Sequence, residues 1–144
     1  MIQLTNEEKA YYKKMLSKTS KLGVRSISLD ANKCKTGGKL AKKKGTVCNG
    51  CYALKGCYVF PVVKDAMARR LEFFNSKNFI PIMVWLLQSQ KKKYFRWFDS
   101  GDIQNIFMGL NILEICKQTP DIKHWIPSKE YKFWREILKI EKLP

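Results

Sequence analysis

The stretch from Asp30 to Cys57 constrains this chain more than any other. It carries four of the five cysteines (Cys34, Cys48, Cys51 and Cys57), glycines at 37, 38, 45, 50 and 56, and no sustained apolar periodicity. A segment with neither a helical nor a strand repeat has no face of its own to bury, so it reads as a long irregular loop, a length reserved for function or disorder. Lys33, Lys35, Lys39, Lys42, Lys43, Lys44 and Lys55 crowd the same stretch. Whatever orders it must tolerate, or use, a strong positive field.

The flanking sequence supplies the scaffold. Thr5-Asn6-Glu7-Glu8 has the form of a capping box, predicting a helix from Glu7 to Ser17. Val24–Leu29 alternates apolar and polar residues and predicts the first strand. Pro61, with Val63, Met67, Leu71 and Phe74 at three-to-four spacing, predicts a helix to Asn75, and Asn78 is placed to cap another through Leu87. Tyr94–Phe98 predicts a second strand, stopped by Asp99-Ser100-Gly101-Asp102. Ile103, Ile106, Phe107, Leu110, Leu113 and Cys116 mark the inner face of the next helix, for which Asp102 is a suitable N-cap. Ile122–Ile126 predicts a third strand, and Pro127-Ser128-Lys129-Glu130 turns into a last helix with Phe133, Trp134, Ile137 and Leu138 on one face.

Strands alternating with helices imply right-handed crossovers. The expected fold is therefore a single α/β domain with a small, mainly parallel three-stranded sheet, covering helices and the cysteine loop after its first strand. Ligands of such sheets gather at the carboxyl ends of the strands. Three segments leave the strands there: the cysteine loop, Asp99-Ser100-Gly101-Asp102, and Ser128-Lys129-Glu130. The last two form a candidate ligand-binding rim.

Lys and Arg number 28 against 12 Asp and Glu, a formal net charge of +16 over 144 residues, which predicts an acidic partner or an anionic cofactor. No apolar run approaches the ~20 residues of a membrane span. The Met-Ile-Gln-Leu start lacks the basic and apolar regions of a signal peptide, so the expected compartment is the cytosol, without a membrane partner. There, clustered cysteines point to metal rather than disulfides. Cys48-x-x-Cys51 is one ligand knuckle, and Cys34 and Cys57 are isolated. Structural zinc sites usually pair two such knuckles, whereas iron–sulfur clusters combine one short motif with remote cysteines. The expected cofactor is a [4Fe–4S] cluster on Cys34, Cys48, Cys51 and Cys57, with zinc as the alternative. The lysines would lower the thiol pKa values and balance the cluster's negative charge or contact a polyanion, and Tyr52, Tyr58 and Phe60 would exclude water. Cys116, in step with an apolar helix face, reads as core, and the single histidine, His124, as structural.

Lys outnumbers Arg 23 to 5, which suits diffuse phosphate attraction rather than base reading. A zinc-stapled module that binds nucleic acid without sequence preference is thus a second expectation. Tyr94, Phe95, Trp97, Trp125 and Trp134 are its candidate stacking residues, although core positions suit them better. A three-stranded sheet also leaves edges that a second copy would cover.

Lys39-Leu40, Gly45-Thr46-Val47-Cys48 to Gly56, Arg96 to Ile103 and Trp125 to Tyr131, together with Cys34, resemble a family of largely uncharacterised bacteriophage proteins that share Cys-x-x-Cys-Tyr-Ala, Asp-Ser-Gly-Asp and Pro-Ser/Thr-Lys/Arg-Glu blocks in this order. The resemblance covers about residues 24 to 135. It implies phage origin and the cytoplasm of an infected host cell, but supplies no established activity and identifies no redox or host protein partner. A second likeness is to the half-barrel of radical S-adenosylmethionine enzymes, in which a three-cysteine loop follows the first strand and a Gly-Gly-Glu-like turn the second. Here Ser100-Gly101-Asp102 takes that place, but Cys34 lies fourteen residues before Cys48, far beyond that family's spacing. Counting ligands, Cys57 would close the fourth iron, so an electron-transfer, sensing or structural role is expected ahead of radical catalysis.

Overall fold

A computed structural model describes residues 2–144. Its helices are α1 (Asn6–Lys13), α2 (Lys35–Ala41), α3 (Pro61–Phe74), α4 (Phe79–Gln88), α5 (Ile106–Gln118) and α6 (Tyr131–Ile140). Its strands are β1 (Ser17–Lys18), β2 (Arg25–Ile27), β3 (Tyr94–Trp97) and β4 (Lys123–Trp125), in the sheet order β1-β2-β3-β4. The three expected strands pair in parallel, with Ile27 opposite Trp97 and Arg96 opposite Trp125.

The sheet nevertheless has four strands rather than three. β1 adds an antiparallel edge, Ser17 opposite Ser26. The first helix therefore ends at Lys13 and not at Ser17. Met15 and Leu16 are buried in the core beyond it, and a helix continued through them would have turned at least one away.

Register decides which face is core. Ile27, Phe95 and Trp97 are buried on one side against the apolar faces of α4 and α5, including Ile82, Met83, Leu87, Ile112 and Ile115. Phe98, which follows β3, has φ 55, an uncommon conformation for a bulky residue. Simple alternation would set Trp97 and Phe98 on opposite faces, yet both rings lie against Phe74 of α3. The chain is thereby re-aimed at the carboxyl rim, just before Asp99.

The ladder continues past the strands. Phe98 N donates to the Ile27 carbonyl (2.9 Å), Leu29 N to the Ser100 carbonyl (3.0 Å), and Ser100 Oγ to the Leu29 carbonyl (2.9 Å). Gly101 completes this close approach. Its φ is 77, and a Cβ there would sit 2.6 Å from the Leu29 carbonyl oxygen.

Two packing expectations are corrected. Phe107 is 77% exposed because the N-cap of α5 is Asn105, whose side chain accepts from Met108 N, so the helix starts later and turns Phe107 outward. In α6, Ile137 is fully buried, whereas Leu138, one position on, is exposed. Cys116 and His124 behave as read. Cys116 is buried, and His124 bridges Trp97 Nε1, 3.1 Å from its Nδ1, and Thr119 Oγ1, 2.9 Å from its Nε2.

Candidate metal centre

The segment from Asp30 to Cys57 is more regular than its sequence predicts. A 3-10 turn (Ala31–Lys33) leads into α2, and further 3-10 turns span Tyr52–Leu54 and Gly56–Val59. Asp30 starts the first turn by accepting from Asn32 N at 2.9 Å, and Gly38 N bonds to the Cys34 carbonyl at 3.1 Å. Cys34 thus stands at the N-terminal boundary of α2.

Gly37, one turn into α2, faces the thiols. A Cβ there would lie 3.2 Å from Cys34 Cβ, which is tight, and 3.7 Å from Cys48 Sγ and 3.8 Å from Cys34 Sγ, which is ordinary contact, so Gly37 borders both thiols. Cys51 belongs to the same group, since its charge acts on both Cys34 and Cys48. All three are half-buried, whereas Cys57 is exposed on the next turn, beside Tyr58. The structure therefore brings three of the four candidate cysteines together and leaves Cys57 outside.

Burial pushes the Cys34 thiol up to about 12, with the carboxylates of Asp102 and Glu130 and the other two cysteines adding to the shift. Cys48 is also raised, first by desolvation, and Lys129 pulls the other way. The loop lysines do not have the lowering effect expected of them. Lys33, Lys35, Lys39, Lys42, Lys43, Lys44 and Lys55 are all solvent-exposed, where water screens their charge. The cation that lowers Cys48 is Lys129 of the rim. The expected aromatic shield is also thinner: Tyr52 and Phe60 are exposed, and only Tyr58 is half-buried.

The rim is built from side chains that hold one another. Asp102 does not cap α5. Its Oδ1 accepts from Ile103 N (2.8 Å) and Ser128 Oγ (2.7 Å), and its Oδ2 from Lys129 N (2.6 Å), which locks the turn after β3 to the turn after β4. Desolvation nevertheless raises its pKa. Glu130, buried as well, reaches across to Thr36 of α2. Asp99 accepts from Ser26 Oγ at 3.0 Å, and its carbonyl accepts the Tyr52 hydroxyl. Thr36 is the rim contact that the motif reading missed, and Tyr52, read as a water shield, instead bonds to the rim. Thr36 has no sequence signal beyond its nearness to Cys34.

The candidate stacking aromatics divide by strand face. Phe95 and Trp97 are buried, Trp134 is half-buried, and Tyr94 and Trp125 are each 53% exposed. Arg96 lies 4.7 Å over the Trp125 ring.

Among the described residues, no group of three or more His, Cys, Asp or Glu side chains converges closely enough to hold a single metal ion. No helix among them is long and apolar enough to cross a membrane. Fold and rim together define a small mixed α/β protein with half-buried Cys34, Cys48 and Cys51 at the carboxyl edge of a mainly parallel sheet. The chain belongs to the Gene product 88 family, whose model it matches over residues 3–144, in line with the resemblance to uncharacterised phage proteins. No curated protein matches it, and no solved structure does.

Proposed function

We propose that this chain is an iron–sulfur protein in which Cys34, Cys48 and Cys51 hold one [4Fe–4S] cluster at three of its irons, with the fourth left to an exogenous ligand. The observation that carries this reading is that half-buried Cys34 and Cys48 both border Gly37, with half-buried Cys51 near enough to act on both and Cys57 exposed. Structural zinc sites usually pair two Cys-x-x-Cys knuckles, whereas this chain has one, Cys48–Cys51, with Cys34 standing alone. Iron–sulfur clusters draw their thiolates from one short motif plus remote cysteines, which favours this donor set.

When bound, a cluster of this kind supplies one-electron transfer and an open iron corner. The chain's own residues do the rest. Gly37 borders two thiols, Asp102 and Glu130 fix the rim against the cysteine segment, and Lys129 offsets part of the negative charge near Cys48. Ser100 and Gly101, held against Leu29, lie on the same rim as the place for the amine of a small ligand such as S-adenosylmethionine. The setting we infer is the reducing cytoplasm of an infected cell, where free thiols persist.

The test is anaerobic reconstitution with iron and sulfide, followed by metal and sulfide analysis and EPR of the reduced protein. About four irons per chain are expected. Cys57→Ala and Cys116→Ser should retain them; Cys34→Ser, Cys48→Ser and Cys51→Ser should not. S-adenosylmethionine should shift the wild-type spectrum. A colourless protein that takes up only zinc, or loss of the cluster in Cys57→Ala, would overturn the reading.

A further inference from the structure

At the opposite end of the sheet from the cysteines, a cavity of 510 Å³ opens between the end of α1, the β1–β2 turn and the end of α4. Its size is that of a small-ligand pocket. Five cations line it, Lys13, Lys18, Arg25, Lys91 and Lys92, and among the described residues that line it there is no carboxylate. Lys91 and Lys92 alone would be ordinary company for the carbonyl end of α4. Lys13, Lys18 and Arg25 come from other elements and owe nothing to that helix.

Gln90 also lines the cavity, and here the site departs from a plain basic surface. Both atoms of its side-chain amide are buried beneath the cavity wall and neither has a hydrogen-bond partner, so the side chain turns toward the cavity to meet one. A buried amide without partners is costly to keep, and its natural complement is a planar group offering one donor and one acceptor side by side. Purine bases present such an edge to glutamine. Leu16 and Leu86, both buried, supply an apolar wall of the same cavity against which a flat ring can lie.

We infer that this cavity binds a nucleotide, with its phosphates on the lysines and its base against Gln90. The shared chemistry of purine and phosphate comes either from a free nucleotide or from one unit of a single strand. Both sources suit flexible lysine point charges. The inference does not depend on the cluster, because the residues involved lie beyond the amino end of β2 while the thiols follow its carboxyl end.

The experiment is calorimetric titration of the full chain with ATP, with tripolyphosphate and with a short single-stranded oligodeoxyadenylate, in the wild type, Gln90→Met, Lys18→Glu/Lys91→Glu and Cys34→Ser. ATP is expected to bind more tightly than tripolyphosphate. Gln90→Met should weaken ATP about 10-fold, leave tripolyphosphate unchanged, and raise the melting temperature, since an unpaired amide is replaced by an apolar side chain of similar length. The charge-reversed variant should lose all three ligands, and Cys34→Ser should bind as wild type does. If the oligonucleotide outcompetes ATP and is equally sensitive to Gln90→Met, the source is a strand. ATP binding no tighter than tripolyphosphate, or unaffected by Gln90→Met, would overturn the assignment.

Discussion

Both carboxylate oxygens of Glu130 are engaged by Thr36, two residues after Cys34: Oε1 accepts the Thr36 backbone N–H at 2.7 Å and Oε2 its hydroxyl at 2.7 Å. Glu130 follows β4 and Thr36 lies in the first turn of α2, so one buried side chain ties the cysteine segment to the far side of the sheet. Hydrogen bonds to charged groups contribute about 1.5–3 kcal/mol each, and a buried partner left unmatched costs a similar amount. Glu130→Gln removes the charge and one of the two acceptor oxygens, leaving a neutral amide whose N–H₂ only the Thr36 hydroxyl can accept. It is expected to lower stability by roughly 2 kcal/mol and to loosen α2, read as a lower urea midpoint with unchanged m-value. Thr36→Val, which leaves the backbone bond, should cost less. Equal midpoints in wild type and Glu130→Gln would mean that the contact does not hold the segment.

Two glycines give opposite expectations from similar substitutions. Gly101→Ala places a Cβ 2.6 Å from the Leu29 carbonyl oxygen at a φ of 77. The backbone must shift at the junction of β2 and β3, at a cost of about 1–3 kcal/mol. Gly38→Ala, inside α2, meets nothing within 4 Å and should stabilise by up to about 1 kcal/mol through helix propensity. Thermal melts of the two variants check both signs. A neutral Gly101→Ala would remove the argument that the rim depends on this close approach.

How far the sequence reached is clearest at these positions. The three parallel strands were legible because their alternation and aromatic content belong to a few consecutive residues, and the Asp99–Asp102 turn because its residue types are strong breakers. β1 was not: Ser17-Lys18 has no pattern of its own and becomes a strand by pairing with Arg25 and Ser26. α2 was hidden by Gly37, Gly38 and the lysines, all read as loop, while the Glu130 contact that helps hold it comes from 94 residues away. Asp102 and Asn105 are equally good caps by type. Only the distant Ser128 and Lys129 decide that Asp102 faces them and that Asn105 caps α5. That the structure sets Cys57 apart from the other thiols likewise depends on tertiary packing, which ligand counting could not see.

Thiol reactivity should report this separation in the metal-free protein. Cys57 is exposed, whereas Cys116 is 6% exposed and its pKa is pushed up to about 12 by burial. Reactivity follows thiolate fraction and access. At neutral pH a maleimide should label Cys57 first and Cys116 at least ~100-fold more slowly, with Cys34, also raised to about 12, well behind Cys57. Mass spectrometry of digests over a time course gives the order. Prompt labelling of Cys116 would contradict its place in the core.

His124 provides a pH test of the sheet. Trp97 Nε1–H donates to Nδ1 at 3.1 Å, which leaves the ring proton on Nε2, facing Thr119 Oγ1 at 2.9 Å, while the Thr119 hydroxyl donates to the Ile115 carbonyl at 2.7 Å. Each hydrogen in this chain has one acceptor, and a second ring proton on Nδ1 would point at the Trp97 N–H. Burial accordingly lowers the His124 pKa below its ordinary value. With a folded pKa below the unfolded one, near 6.5, the unfolded chain binds more protons as pH falls. The stability from neutral His124 is therefore present above about pH 6.5 and is lost progressively below it. Melting temperature should fall between pH 7 and 5 in the wild type and fall less in His124→Asn, which has no charge to gain in this range. Parallel profiles for the two proteins would show that the Trp97–His124–Thr119 chain is not what senses acid.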